Sequence, residues 1–235
     1  MMNIEGGDDS FIMAQPGGVQ RYRVLVAGNT YQECKYPEQA NDCNILGVSL
    51  QQQTLEGKPI ALRRWGLTRC ECAAPIQAGD TVVIADAEGR IKPAAKATCT
   101  LGLPGNNNQI NIQFRNPGLA GNLFQVRVIE GEENTPTFVE FSGNELNIYL
   151  ELNPVTFDSV INANQLIQII NNTPFVTKLV HASNNASSNG TGLPILQTTK
   201  MQGGEGGINL VGTAQQTATL AGDIIEIFIT PIINL

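Results

Sequence analysis

From Val19 onward the apolar residues come in short stretches, VQRYRVLVA, NILGVSLQ, KPIALRRW and DTVVIADAEGRIKPA, separated by Gly-Asn, Glu-Gly-Lys, Ala-Gly-Asp and Glu-Gly-Arg. Stretches this short, rich in Val, Ile, Leu and Tyr and bounded by turn residues, predict strands rather than helices. Thr81 to Ile84, the turn Asp86-Ala87-Glu88-Gly89-Arg90 and then Ile91 predict a hairpin. Together, 19–98 reads as a small all-β barrel.

The pattern changes near Thr100. After the loop LGLPGNNNQ, the segment QINIQF (109–114) alternates polar and apolar residues, followed by the turn RNPGLAGN (115–122) and the strand LFQVRVI (123–129). An acidic loop with Glu130, Glu132 and Glu133 leads to the strands TFVEF (137–141) and ELNIYLEL (145–152). This spacing predicts a sheet with one wet face. A helix follows, capped by Asp158 or Ser159, with Ala163, Leu166, Ile167 and Ile170 on one face. The run Asn171-Asn172-Thr173-Pro174 ends it, and its apolar stripe packs on the sheet. Sheet and helix make an α+β module, closed by VTKLVHA and the loop SNNASSNGTG.

The last stretch returns to the first pattern. Ala221-Gly222-Asp223-Ile224-Ile225 echoes Ala78-Gly79-Asp80-Thr81-Val82, each a tight turn delivering the chain into a β-branched strand. The expected fold is therefore mainly β, a discontinuous barrel of 19–99 and 208–235 interrupted by an α+β module at 100–207. Residues 1–18, with Glu5, Asp8, Asp9, several Gly and no Lys or Arg, read as a flexible N-terminal arm.

Composition narrows the function. Charged residues make up 15% of the chain, below the usual quarter or so, and the net charge is −7 with a pI near 4.7. An acidic surface argues against direct nucleic-acid binding. No apolar run is long enough to cross a bilayer, and MMNIEGGDDSF lacks the features of a secretion signal, so folding in a cytoplasm with reduced cysteines is expected. Candidate chemistry is sparse. The single histidine, His181, has no second imidazole for a metal site, and Cys70-x-Cys72 lacks the spacer of zinc or redox pairs. GGEGG (203–207) lacks the Lys-Ser/Thr of a phosphate loop and reads as a linker. No catalytic residue, metal or cofactor is expected.

Charge placement points instead to contact. Of the 14 Lys and Arg residues, ten lie in 19–98 against eight acids, so that region carries about +2 and the remainder about −9. Arg63-Arg64-Trp65 with Arg69, and Arg21 with Arg23, are its candidate interface residues, because Trp and Arg are favoured anchors, although an Arg pair flanking one Trp is equally what an ordinary strand end looks like.

The order NILGVSLQ, EGKPIALRRWG, CAAPIQAGDTVVIADAEGRIKPA resembles the capsid decoration, or cement, proteins of tailed phages. In that family an Ile/Leu-Gly-Val strand, a strand G-x-x-V-x-V-x-x-x-G and a segment A-x-I-x-A-G-D-x-V-x-x-x-x-x-G-R-x-x-x-A follow one another. Gly47-Val48, Gly57 to Gly66, and Ala74-Pro75-Ile76 through Gly89-Arg90 to Ala94 occupy those places. The element Gly212-Thr213-Ala214 through Ala221-Gly222-Asp223 to Ile229 is similar to the family's closing segment. INIQFRNPGLAGNLFQVRV with the helix ANQLIQIINN resembles a sheet-plus-helix module of phage virion proteins.

The resemblance implies a structural, non-enzymatic virion protein that binds the outside of an assembled capsid and stabilises it across capsomer boundaries. Its implied partner is the major capsid protein, its implied state a homotrimer, and its implied place the capsid surface, with no direct contact to nucleic acid or membrane. The alternative is an exposed receptor- or glycan-binding virion module. Against sugar stacking, Phe114, Phe124, Phe138, Phe141, Tyr149, Phe157 and Phe175 fall mostly in strand or core patterns.

Overall fold

The computed structural model describes residues 7–206 and 210–229. The first strands are β1 (Gly7–Met13), β2 (Val24–Ala27), β3 (Glu33–Lys35), β4 (Ile45–Ser49), β5 (Pro59–Glu71), β6 (Thr81–Ile84) and β7 (Ile91–Pro93). Then come β8 (Thr98–Leu101), β9 (Ile110–Phe114), β10 (Gln125–Glu130), β11 (Phe138–Ser142) and β12 (Glu145–Leu150). The helices α1 (Ala163–Asn172) and α2 (Val176–Leu179) precede β13 (Val180–Asn184) and β14 (Gln197–Lys200), and β15 (Leu210–Ala214) and β16 (Ile224–Ile229) end the described chain. The protein is mainly β and forms two compact units, Met1–Ala94 with Glu205–Leu235, and Ala95–Gly204.

The first unit is a nine-stranded sheet, β1-β3-β2-β4-β5-β16-β15-β6-β7, in which β1 also pairs with β5. That second pairing closes β1, β3, β2, β4 and β5 into a barrel around Met13, Val19, Leu25, Cys34, Ile60 and Leu62. The remaining strands curl back on the same β5, where Cys72 bridges Ile91 and the Ala73 amide donates to the Ile91 carbonyl at 2.8 Å. Their core contains Cys70, Cys72, Val82, Ile84, Ile91, Ile225, Ile227 and Ile229. Strand β2 lies between the two cores: Leu25 faces the first, Val24 and Val26 the second. Burial on both faces explains why VLVA is a continuous apolar run with no alternation.

Residues 7–13 are a strand, contrary to the expected arm; residues 1–6 lie outside the described residues. Phe11 packs against the first core and Met13 lies in it, while the backbone from Gly7 to Ile12 pairs antiparallel with β5. The arm reading averaged composition over the whole segment, and the acids and glycines masked the alternation of Phe11 and Met13.

The two Ala-Gly-Asp turns adopt the same structure. Asp80 accepts from the Gln77 amide at 2.8 Å and Asp223 from the Leu220 amide at 3.0 Å, each three residues back. Gly79 and Gly222 sit at φ 93° and 92°, a region open to glycine and costly for other residues. Bonds from the Leu220 and then the Thr219 amide hold the Asp223 carboxyl below the usual carboxylate range.

The second unit has two sheets, β11-β12-β10-β14 and β13-β9-β8, sharing one core with α1. From the helix come Ala163, Leu166 and Ile170; Ile167 packs at the margin. Its cap is Asn162, not Asp158 or Ser159: Asn162 accepts from the Gln165 amide at 3.0 Å, and the Gln165 side chain accepts from the Asn162 amide at 2.9 Å. Asp158 and Ser159 are held earlier, in a loop closed by the Asn153 amide on the Asp158 carbonyl and by a Leu152 to Ser159 bridge.

The paired turns yield a prediction. An added Cβ at Gly79 or Gly222 meets no atom within 4 Å, so Gly79→Ala and Gly222→Ala test backbone strain alone. Each should lower unfolding free energy in urea by about 1 kcal/mol, and Asn at either position by less. Unchanged stability in both alanine variants would contradict the shared geometry.

Candidate docking surface

Inward positions of β5 serve the two cores, so its outward positions define a surface. Trp65 is 43% exposed and Leu67 39%. On the neighbouring strand Phe228 lies opposite Leu67, Glu226 opposite Arg69, and Ile224, 49% exposed, opposite Glu71. Trp65, Leu67 and Phe228 form the apolar centre of this face. The indole of Trp65 covers the backbone of Gly7, where a Cβ would come within 1.9 Å of its Nε1.

The six expected interface residues divide. Arg63, Trp65 and Arg69 share the outward face of β5. Arg63 pairs with Asp8, and its Nη1 donates to the Leu67 carbonyl at 2.7 Å. Arg64 pairs with Asp9 at 2.9 Å and lies over the Phe11 ring. Arg69 is exposed and has no ion pair among the described residues. Arg21 is exposed, with its guanidinium 4.5 Å from the Tyr22 ring centre. Arg23 is only 9% exposed, bound to Glu71 at 2.6 Å, with its Nε and Nη1 lacking partners.

A basic docking barrel is therefore the wrong electrostatic description. Strand β1 brings Asp8 and Asp9 against the arginines, and over the whole unit nine Lys and Arg stand against fourteen Asp and Glu, a net of −5. The count over 19–98 omitted the acids that the first and last strands contribute. What remains available on the face is apolar surface plus Arg69. Leu67 and Phe228 escaped the sequence reading, although Leu67 falls two residues beyond Trp65, and Phe228 lies out of phase with Ile225, Ile227 and Ile229.

No group of three or more His, Cys, Asp or Glu among the described residues could hold a metal ion. His181 is exposed on β13, opposite Gln113. Within GGEGG, Glu205 accepts from Lys92 Nζ and Asn41 Nδ2, both at 2.9 Å, tying the returning chain to the first unit. No described helix is long and apolar enough to cross a membrane. Compared with known proteins, the sequence matches no protein-family model and no curated protein.

The cysteines make a direct test of burial. All five are free; Cys43 is exposed, and Cys34, Cys70, Cys72 and Cys99 are buried. Desolvation pushes Cys34 and Cys99 up to about 12, Cys72 up to about 11, and Cys70 further up. Below those values the buried groups stay protonated and unreactive. At about pH 8 the native protein should consume a single equivalent of iodoacetamide, and Cys43→Ser should abolish even that. Rapid reaction of a second thiol before unfolding would contradict the packing.

Proposed function

We propose that the protein is a structural, non-enzymatic capsid decoration protein. It binds the outside of an assembled phage shell through the outward face of β5 and β16, stabilising the shell across capsomer boundaries. The observation that carries this reading is the apolar centre of Trp65, Leu67 and the half-buried Phe228, with Arg69 at its rim, on one face of the sheet. An aromatic and aliphatic anchor ringed by polar groups is the composition that concentrates binding energy in protein interfaces. The order of turns and strands that resembles the decoration family lies in the same unit.

On this reading the partner is the major capsid protein, the assembly a homotrimer, and the final location the virion surface. The mechanism needs no cofactor and no bond-making step. A protein that binds only the expanded shell stabilises that state by mass action, by an amount set by its concentration relative to its dissociation constant. Internal pairing of Arg63 and Arg64 with Asp8 and Asp9 makes apolar contact, rather than free positive charge, the main source of affinity.

Co-sedimentation of the purified protein with expanded tailed-phage capsids lacking decoration tests the reading. Saturable binding is expected, with Trp65→Ala weakening it by about 30-fold, the loss of a central anchor worth about 2 kcal/mol. Trp65 is the sole tryptophan, so its emission should shift to the blue on binding. Absence of binding at micromolar protein, or binding indifferent to Trp65→Ala, would reject it.

A further inference from the structure

The solvent face of the four-stranded sheet in the second unit carries an ordered set of side chains. Across it the register aligns Phe138, Tyr149 and Ile129 in one row, and Glu140, Asn147, Arg127 and Thr198 in the next. Phe138 and Tyr149 stack with ring centres 4.5 Å apart and planes 11° from parallel, and Phe138 remains 40% exposed. Phe138 and Tyr149 thus belong to the wet face, where the sequence pattern had suggested strand or core packing.

Beside the rings sits an incomplete hydrogen-bond set. Asn147 is only 5% exposed although it lies on the outer face, and its Oδ1 has no partner. Two diagonal pairs flank it: Tyr149 Oη donates to Glu140 at 3.1 Å, and Arg127 Nη1 to Glu145 at 3.0 Å. Arg127 also holds the Glu145 carboxyl below the usual range. A buried amide oxygen without a donor costs about 1–3 kcal/mol, which a ligand hydroxyl would recover once the flanking side chains part to admit it.

Charge selects the kind of ligand. At the outward strand positions Glu140 and Glu145 are matched by Arg127 and Lys200, while Glu130, Glu132, Glu133 and Glu151 border the aromatic end, so the face disfavours a phosphate chain or other polyanion. Aromatic surface, acceptors and donors at strand spacing match a molecule that presents C–H faces and hydroxyls together. We propose that this face binds a neutral oligosaccharide, with Phe138 and Tyr149 as the apolar platform and Asn147, flanked by Glu140 and Arg127, as the hydroxyl-recognising centre. The inference does not depend on capsid docking, which uses residues of the other unit.

The full chain is tested on immobilised neutral glucans, galactans and mannans, with heparin and polysialic acid as anionic probes. Saturable binding to a neutral glycan is expected, changing less than about twofold between about 0.05 and 0.5 M NaCl, because the ligand carries no charge. Phe138→Ala and Asn147→Ala should each weaken it about tenfold, with unchanged circular dichroism, and Lys200→Ala should leave it intact. No neutral glycan bound at about 1 mM protein would overturn the proposal. So would binding confined to the anionic probes and lost in salt, or wild-type affinity in a folded Phe138→Ala variant.

Discussion

Strand β5 is the member on which the rest of the first unit depends. Its thirteen residues extend roughly 40 Å, long enough to serve two cores in turn. Ile60 and Leu62 point into the first core, Cys70 into the second, and Gly66, at φ 90°, lies between. The first core has six fully buried apolar residues, a small number for a barrel that must offset the ordering of its chain. Sharing β5 and β2 with a larger neighbouring core supplies the missing burial, so the barrel and that core stand or fall together.

The same sharing places the candidate surface. Strand β4 occupies one edge of β5, and β1 and β16 lie end to end along the other, meeting where Gly7 pairs with Trp65 and Ile229 with Gly66. The first and last strands of the described chain thus converge beside the tryptophan. Because inward positions are committed to cores, the exposed large side chains Trp65 and Leu67 can only belong to the outer face. Trp65 already covers Gly7, yet 43% of it and 39% of Leu67 remain exposed, and that uncovered apolar surface is the physical ground for proposing them as contacts for another chain.

How much of this was legible in the sequence follows from which interactions are local. Turn residues and period-two alternation located most strands, because they report on a few neighbouring residues. The Ala-Gly-Asp repeat went further, since its aspartates bond three residues back and the geometry is written in the motif. Long-range pairing was hidden. Nothing in GGDDSF announces that Asp8 and Asp9 will meet Arg63 and Arg64, and so the charge of the barrel was misjudged. Asn162 was passed over as a cap because Asp158 and Ser159 are equally good capping residues, and only the loop contacts decide among them. On the wet sheet of the second unit, Phe138 and Tyr149 read only as strand or core positions, because alternation gives two faces without saying which is buried.

The central claim is that β5 couples the two cores of the first unit into one cooperative whole, and native-state hydrogen exchange measures this most directly. Leu62 belongs to the first core alone, and Leu62→Ala should cost about 2–5 kcal/mol. If β5 is shared as described, the amides of Thr68–Cys70 lose as much protection in that variant as those of Ile60–Leu62. Full retention of protection at Thr68–Cys70 while Ile60–Leu62 exchanges freely would contradict the account.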